Sequence, residues 1–213
     1  AGRWCGDAAK PVLIFFININ LDERTDRWEQ AQKEFEKLGI NDVKRFSAVK
    51  HEKGAIGCRE SHLDIIKEVK ELGLNNVLIF EDDVLVLEEH INKVEGALND
   101  LKDIGWELFY FGATVDPNVG KLRPVTPNLV LTNFAYTTHA YAINHTMFDF
   151  ILEQAPLHPI IDVFYCRNIV PRNKSFIINP MLCIQQESYS DIEKHHADYW
   201  WMVDFFNKAL PKW

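Results

Sequence analysis

The chain has 213 residues, of which 47% are hydrophobic and 25% are charged, as in ordinary folded domains and unlike disordered or fibrous chains. This length fits one α/β domain, because single cores keep growing to about 250 to 300 residues. The formal net charge is −8 at pH 7, and no run of Lys or Arg forms a basic stripe. The sequence therefore offers no surface that neutralises a polynucleotide backbone, and we expect no nucleic acid partner.

A strand, a helix and a second strand are predicted at the beginning of the chain. Val12 to Ile19 (VLIFFINI) is a continuous apolar run, typical of a central strand covered on both faces. The run is too short for a membrane span and lacks the basic region and cleavage site of a signal peptide, so we expect a cytoplasmic protein. A helix follows from Thr25 to Leu38, with Gly39 placed to end it, and Val43 to Phe46 predicts a short strand.

The same scheme is then repeated. Apolar residues recur at helical spacing from Ile56 to Val69, and Gly73 is placed to stop this helix. The next run, Val77 to Phe80 (VLIF), predicts another buried strand, and the acidic triplet Glu81-Asp82-Asp83 follows at its carboxyl end. Ligands of open α/β sheets bind beyond the carboxyl ends of the strands, so this position favours a functional site.

The pattern is looser in the second half of the chain. A third helix is predicted from Ile91 to Leu101, and a third long strand from Trp106 to Phe111. Three prolines between Ala113 and Asn128 indicate a long loop of the kind that often binds or covers a ligand. Tyr136 to Ile143 returns to strand character, and Asn144 is placed to cap a following helix.

A surplus of aromatic residues marks the last predicted helix, Tyr199 to Leu210. Four residues share one apolar helical face, and Trp200, Trp201 and Phe205 lie outside that face. Either the helix packs across the sheet of its own domain, or these residues contact an additional domain, a partner or a membrane surface. We favour packing against its own domain.

The cysteines stand far apart in the sequence, at Cys5, Cys58, Cys166 and Cys183. They form no CxxC pair and show no zinc spacing, so neither a metal knuckle nor a disulfide framework is indicated. We expect free thiols in a reducing compartment.

The acidic triplet has two interpretations. Three carboxylates crowded at the end of an apolar strand repel one another unless a cation lies between them. Mg²⁺ and Mn²⁺ take carboxylate oxygens and complete their coordination with phosphate oxygens and water, which suits a nucleotide diphosphate ligand. The alternative is a solvated acidic turn.

Four ordered motifs resemble glycosyltransferase family 25, which includes lipooligosaccharide-building and collagen galactosyltransferases. They are ININLDERTDR (Ile17 to Arg27), RFSAV (Arg45 to Val49), GAIGCRESHL (Gly54 to Leu63) and LIFEDDVLVL (Leu78 to Leu87). Weaker similarity continues in THAYAI, HPIID and ESYSDI, which begin at Thr138, His158 and Glu187. Four motifs in order are far more specific than any one of them.

This resemblance implies a GT-A fold, an α/β fold with a Rossmann-like mixed sheet flanked by helices. It predicts a single catalytic domain over 1–213, with a nucleotide-sugar-binding half (12–112) and an acceptor half (113–213). Excision of this domain from a longer protein is left open. It also implies a hexosyltransferase that uses Mn²⁺, or Mg²⁺, to move a sugar from a UDP-sugar to a glycan or protein-linked acceptor with inversion of configuration.

The resemblance also assigns donor-binding residues. The end of the first strand, Asn18, Ile19, Asn20 and Leu21, would line the base and ribose, with Asp22 and Arg27 nearby. Ser61 and His62 either contact the donor or hydrogen-bond within the packing of helix on sheet. Glu81, Asp82 and Ser190 complete the expected donor contacts.

The resemblance and the surroundings of individual acids also predict metal ligands and a catalytic base. Asp83 is the expected direct ligand of the cation, together with Glu81 and a histidine, for which His139 is preferred over His195 and His196. Asp162 is the preferred general base for deprotonating the acceptor hydroxyl, and the rival candidates are Asp191 and Glu187. The alternative for Asp162 is a carboxylate that interacts with the start of a helix.

Two other functions remain open at the level of sequence. A metal-dependent phosphoesterase or nuclease also gathers carboxylates at strand ends, although it would need more acids or histidines at other strands. A catalytically inactive nucleotide-sugar-binding domain would carry the same motifs.

Overall fold

The structure, a computed structural model, describes residues 15–189 and 196–211. The helices are α1 (Thr25–Leu38), α2 (Gly54–Glu71), α3 (Val94–Lys102), α4 (Phe148–Gln154), α5 (Ile161–Asn168) and α6 (Trp201–Ala209). The strands are β1 (Phe16–Asn20), β2 (Lys44–Ser47), β3 (Asn76–Glu81), β4 (Val84–Val86), β5 (Leu108–Tyr110), β6 (Leu122–Thr126), β7 (Leu129–Thr132), β8 (Ala140–Asn144), β9 (Ser175–Ile178), β10 (Cys183–Gln185), β11 (Ser188–Tyr189) and β12 (His196–Ala197).

Eight of these strands form one mixed sheet in the order β2-β1-β3-β8-β5-β9-β7-β6. β1 is parallel to β2 and β3, and β5 is parallel to β9, whereas the other neighbours are antiparallel. β8 comes from the second half of the chain and lies between β3 and β5, so both halves of the chain contribute to the middle of the sheet. This architecture confirms the expected α/β fold with a mixed sheet.

Apolar side chains cover the sheet on both faces because successive residues of a strand point to opposite sides. Along β3, Ile79 belongs to the core cluster that includes residues of α2, α4, α5 and α6, and Phe80 belongs to the cluster that includes residues of α1 and α3. Both side chains are fully buried. A strand buried on both faces must be apolar throughout, which explains the uninterrupted VLIF sequence.

The predicted helix ends and the first strand compare well with the structure. α1 has the predicted bounds, and Gly39 and Gly73 take the left-handed conformation, with φ values of 72° and 68°. β1 begins at Phe16 instead of Val12, and residues 12–14 lie outside the described part of the chain. β1 is the second strand from the sheet edge, so it is less central than its composition suggested.

The long loop predicted between Ala113 and Asn128 was wrong in part, because it contains strand β6. β6 pairs with β7 in a hairpin at the end of the eight-stranded sheet, and the register shifts between Pro124 and Thr126. Proline lacks an N–H group, but an edge strand tolerates it because one side of that strand has no neighbour to accept a hydrogen bond.

The C-terminal helix packs against its own domain, as the favoured interpretation expected. Met202 and Phe206 of α6 are buried in the main core cluster. Trp200 and Trp201 remain 55% and 40% exposed, so contact with an additional domain, a partner or a membrane surface stays a prediction. In the part of the chain that the structure describes, no helix is both long and apolar enough to span a bilayer.

The cysteines of the described residues are free, as expected. Cys166 and Cys183 are buried, and Cys58 is half-buried. Cys5 lies outside the described residues.

Candidate active site

The acidic triplet lies where three strands meet. β1 and β3 are parallel with Ile19 opposite Glu81, so Asn20 and the triplet reach the same edge of the sheet. β8 runs antiparallel to β3 and therefore starts at this edge, where the backbone N–H of Glu81 donates to the carbonyl of His139 at 2.9 Å. β4 follows the triplet and pairs with β10, which brings Gln185 beside Asp83.

Asp82 is enclosed by hydrogen-bond donors. Arg27 Nη1 lies 2.9 Å from its Oδ1, and Asn20 Nδ2 lies 2.7 Å from its Oδ2. Burial raises the pKa of Asp82, and the Arg27 guanidinium opposes this rise. The Arg27 and Asp82 side chains are only 10% and 13% exposed, so this is a largely buried ion pair. Asp82 is thus held and neutralised within the protein.

The side chains at the end of β1 contact other residues of the protein. The Asn20 amide group also donates to the carbonyl of Arg24 at 3.0 Å, and its oxygen accepts from Arg45 Nε at 2.9 Å. Asn18 is fully buried, and its amide nitrogen lies 3.4 Å from the carbonyl of Phe80. Ile19 is a core residue. These residues support the site through packing and hydrogen bonds. Contact of their side chains with the donor stays a prediction.

Glu81 is held by a chain of buried hydrogen bonds. Its Oε1 accepts from Thr138 Oγ1 at 2.6 Å and lies 3.2 Å from His62 Nε2. His62 Nδ1 is 2.8 Å from the Tyr141 hydroxyl, which is 3.2 Å from the Tyr165 hydroxyl. A His62 proton on Nε2 and donation from Tyr141 to Nδ1 satisfy every member of this chain. Burial favours a higher pKa for Glu81, but His62 and Thr138 outweigh it and lower that pKa.

Asp83 has a different environment from its two neighbours. Its Oδ2 accepts from Gln185 Nε2 at 3.1 Å, whereas its buried Oδ1 has no hydrogen-bond partner among the described residues. Burial, together with the charges of Glu81 and Asp82, raises the pKa of Asp83 to about 7. An orphaned carboxylate oxygen beside two other acids is what a hard cation would stabilise.

His139 also has a buried atom without a hydrogen-bond partner among the described residues. Its Nε2 lies 3.2 Å from the carbonyl of Cys183, and its buried Nδ1 has no partner among the described residues. Burial lowers the pKa of His139 to about 4, so the ring is neutral and its Nδ1 keeps a lone pair. A Cβ atom at Gly112 would lie 1.8 Å from the Cys183 oxygen and 2.5 Å from His139 Nε2, which explains the glycine there.

The three expected metal ligands are not brought together as one group. Among residues 15–189 and 196–211, the group of three or more such residues with ligand atoms within 4.8 Å is Cys58, His62 and Glu81. Joint ligation of one ion by Asp83, Glu81 and His139 therefore stays a prediction. The sequence reasoning missed Cys58, although its i, i+4 spacing from His62 on a predicted helix was a signal for a shared face.

Asp162 lies in the first turn of α5, close enough to Glu81 for the charge of Glu81 to affect its pKa. It accepts backbone hydrogen bonds from Thr137 at 3.3 Å and Val163 at 2.6 Å. Burial raises the pKa of Asp162, these hydrogen bonds oppose the rise, and the charge of Glu81 adds to it. Thr137 has a φ of 73°, a strained conformation that costs a β-branched residue on the order of 1–3 kcal/mol. The strained residue thus holds Asp162 while its neighbour Thr138 holds Glu81.

The remaining candidates fall into three groups. Ser61 is fully buried, and its hydroxyl donates to the carbonyl of Gly57 and accepts from the N–H of Val49, both at 2.8 Å, which favours the structural alternative for Ser61. Asp22, Leu21 and Glu187 are exposed or half-buried, and Asp22 accepts from Ser47 at 2.8 Å. Ser190, Asp191 and His195 lie outside the described residues, as does the side chain of His196.

Comparison with solved structures identifies the class of fold. The chain is similar to the crystal structure of a glycosyltransferase involved in the glycosylation of the major capsid of PBCV-1, with a TM-score of 0.50 and 15% sequence identity. The match covers 79% of this chain and 82% of the other. Together with the mixed sheet and the acidic motif at the end of β3, it confirms the GT-A type of fold.

Sequence comparison confirms the resemblance to glycosyltransferase family 25. The profile described as glycosyltransferase family 25 (LPS biosynthesis protein) matches residues 52–156 of this chain. The inactive glycosyltransferase 25 family member 3 of Mus musculus is 32% identical over 114 residues, which are 52% of this chain and 19% of that protein. Procollagen galactosyltransferase 2 of Mus musculus is 34% identical over 98 residues, which are 43% of this chain and 15% of that protein. The chain thus spans about a fifth of these relatives or less.

Proposed function

We propose that this chain is a glycosyltransferase domain that moves a hexose from a UDP-sugar to a glycan or protein-linked acceptor with the help of a divalent cation. The observation that carries the proposal is Asp83, a half-buried acid whose buried Oδ1 has no hydrogen-bond partner among the described residues, at the carboxyl end of β3. The match to the glycosyltransferase family 25 profile and the fold support the glycosyl transfer. The cation and the UDP-sugar rest on the chemistry of the acidic motif.

Asp83 and the neutral ring of His139 fit a hard divalent ion such as Mn²⁺ or Mg²⁺. Asp83 Oδ1 and His139 Nδ1 are buried atoms whose lone pairs can bind a cation, and neither has a hydrogen-bond partner among the described residues. An ion held there would stabilise the negative charge of the leaving diphosphate. Asp82 is already paired with Arg27, so its expected role is to position the motif.

Asp162 is the group that we propose to take the proton of the acceptor hydroxyl. Its raised pKa makes it a better base than an ordinary aspartate while it is ionised. Thr137 and Val163 fix both carboxylate oxygens by backbone hydrogen bonds, which orients the group without neutralising it. A single displacement with this base would invert the configuration of the transferred sugar.

A catalytically inactive nucleotide-sugar-binding domain is the second candidate. The observation that favours it is the similarity to a mouse relative that is itself named inactive. A phosphoesterase receives less support, because the cluster of potential ligands found in the described residues contains one carboxylate, one thiol and one imidazole instead of several carboxylates.

Binding of UDP in Mn²⁺ and in EDTA tests the metal-dependent site, with calorimetry as the measurement. We expect the affinity to fall at least tenfold in EDTA, and to the same extent in Asp83→Asn with Mn²⁺ present. Asp103→Asn makes the same change at an exposed acid of the same fold and should bind like the wild type. Equal binding of UDP in EDTA and Mn²⁺ would exclude the proposed cation bridge.

Release of UDP from a panel of UDP-sugars separates the two candidate functions. An active transferase should release UDP from at least one of these donors in Mn²⁺ even without an acceptor. Water can take the place of the acceptor, although the reaction is then slow. Binding of a UDP-sugar without release of UDP, even when saccharide acceptors are added, would support the inactive binding domain instead.

A further inference from the structure

A thiol, an imidazole and a carboxylate converge on one point beside the acidic motif. Cys58 and His62 are four residues apart on α2, so they share one face of that helix, and Glu81 ends β3. Cys58 Sγ lies 3.9 Å and His62 Nε2 lies 3.2 Å from the same atom, Glu81 Oε1. All three ligand atoms lie within 4.8 Å of one another.

These separations are close to those of a tetrahedral zinc site. Zinc binds thiolate sulfur at about 2.3 Å, imidazole nitrogen at about 2.0 Å and carboxylate oxygen at about 2.0 Å. At the tetrahedral angle these bond lengths place nitrogen and oxygen about 3.3 Å apart, and sulfur and oxygen about 3.5 Å apart. The two distances from Glu81 Oε1 differ from these values by less than half an ångström, and the sulfur and nitrogen atoms lie within 4.8 Å of each other. Side-chain rotations would have to bring all three atoms onto one ion.

Outer hydrogen bonds orient two of the three ligands. The Tyr141 hydroxyl contacts His62 Nδ1 at 2.8 Å, which directs Nε2 toward Glu81. Thr138 holds the Glu81 carboxylate at 2.6 Å. Partners of this kind on the second ring nitrogen and on the carboxylate fix ligand orientation in known metal sites.

The surrounding charge also favours a cation. Burial raises the pKa of the Cys58 thiol well above its usual range, and the charges of Glu81, Asp162 and Asp83 raise it further. A divalent ion reverses this effect, because a coordinating thiol gives up its proton. Cys58 is half-buried and the Glu81 side chain is 21% exposed, which leaves a route from solvent.

We propose that Cys58, His62 and Glu81 form a binding site for one thiophilic divalent cation, with Zn²⁺ as the best match, separate from the hard-cation site expected at Asp83. The thiol proton leaves to solvent. The His62 proton moves from Nε2 to Nδ1, where it is donated to the Tyr141 hydroxyl, and the Tyr141 hydroxyl donates to Tyr165. Glu81 exchanges its hydrogen bond from His62 for a bond to the ion. The fourth coordination position is open to water. The site goes beyond the proposed function, and neither UDP binding nor transfer is needed to test it.

Cobalt is the probe, because tetrahedral Co²⁺ absorbs visible light and a thiolate ligand adds a charge-transfer band in the near ultraviolet. Titration of the full chain with Co²⁺ should give both signals at one ion per chain, and Zn²⁺ should abolish them. Cys58→Ser should lose the near-ultraviolet band. The matched variant Cys166→Ser removes another free thiol and should keep the band.

A thiol-protection experiment covers the case in which Cys58→Ser fails to fold. The unmodified chain is alkylated with and without Zn²⁺, and the modified cysteines are identified by peptide mass. We expect Zn²⁺ to slow the alkylation of Cys58 at least tenfold and to leave Cys166 unchanged. Absence of a thiolate band in the wild type, a band that survives in a folded Cys58→Ser, or alkylation of Cys58 that Zn²⁺ does not slow would overturn the proposal.

Discussion

The two sides of the acidic motif differ in how their charges are balanced. On the arginine side, made of Asn20, Arg27 and Asp82, each carboxylate oxygen of Asp82 has a donor within 3 Å. On the acidic side, made of Asp83 and Asp162, the hydrogen-bond donors among the described residues are uncharged: Asp83 accepts from the Gln185 amide, and Asp162 accepts from backbone N–H groups. Burial raises the pKa of both acids of the acidic side.

This difference separates carboxylates that maintain the fold from carboxylates that are available for chemistry. A buried ion pair contributes little net stability, but it fixes geometry. An acid without a counter-charge is destabilising unless a ligand or a proton compensates it, and perturbed acids of this kind cluster at functional sites. Neighbouring residues of one motif, Asp82 and Asp83, therefore have different expected roles.

The largest expected effect is on the acidic side, in the variant Asp162→Asn. If Asp162 is the base, transfer to a saccharide acceptor should fall about 10²- to 10⁴-fold, which is the usual contribution of general base catalysis. UDP affinity should stay nearly unchanged, because the interaction is made only in the transition state. Turnover is measured beside UDP affinity. A loss of tenfold or less, about 1.4 kcal/mol in barrier, would move the base role to Asp191 or Glu187.

On the arginine side the expected effect is on folding. Arg27→Met removes one partner of a largely buried pair and leaves the Asp82 charge uncompensated, so we expect a loss of about 3 kcal/mol in the free energy of unfolding. Arg24→Met is the matched control, because the Arg24 and Asp26 side chains are 26% and 62% exposed and such pairs contribute under about 1 kcal/mol. Urea unfolding measures both. Equal losses in the two variants would show that burial of the pair has no energetic consequence.

Local patterns were enough to predict much of the fold. The bounds of α1 follow from apolar spacing and from Gly39, which ends the helix in a conformation that glycine adopts without strain. The acidic motif was located correctly because a run of apolar residues, VLIF, ends at Glu81. β6 was missed because its place at the sheet edge, which makes Pro124 acceptable, depends on pairing that no local pattern reveals.

The hydrogen-bond partners within the site were beyond sequence reasoning. His62, Glu81, Tyr141 and Tyr165 come from four different elements, and their contacts depend on the insertion of β8 between β3 and β5. Sequence reasoning assigned the cation to Asp83 and donor contact to Asp82, but it did not reveal that Arg27 on α1 pairs with Asp82.

Asp83→Asn should stabilise the cation-free protein at alkaline pH. The folded-state pKa of Asp83 is raised from 3.8 to about 7, so its contribution to stability is present below pH 3.8 and is lost as the pH rises through 7. The shift of about 3 units corresponds to about 4 kcal/mol, and we expect roughly half of that because Asp83 is only half-buried. Asn has no charge to desolvate.

Urea unfolding in EDTA at pH 5 and pH 8 measures this difference. Asp83→Asn should exceed the wild type by about 2 kcal/mol at pH 8 and by much less at pH 5. Asp103→Asn, at an exposed acid, should match the wild type at both values. A constant difference between the Asp83 variant and the wild type would mean that Asp83 carries no excess electrostatic energy.

The smallest expected effect concerns Glu81, which lies between the two sides and is held through His62. Tyr141→Phe removes the hydroxyl that contacts both His62 Nδ1 and Tyr165, and leaves each with one partner fewer in a buried environment. We expect a loss of about 1 kcal/mol in the free energy of unfolding, the usual cost of one buried hydrogen bond.

Tyr165→Phe is the matched variant for this comparison, because the Tyr165 hydroxyl lies at the far end of the hydrogen-bond chain and contacts Tyr141 instead of His62 or Glu81. It should destabilise the protein less than Tyr141→Phe, and it should leave UDP affinity unchanged, since His62 keeps its orientation. Tyr141→Phe should weaken UDP binding about twofold to threefold if Glu81 must be held still for the donor, a change below about 0.7 kcal/mol. Equal effects of the two substitutions on both measurements would show that Tyr141 acts as a core residue and does not orient His62.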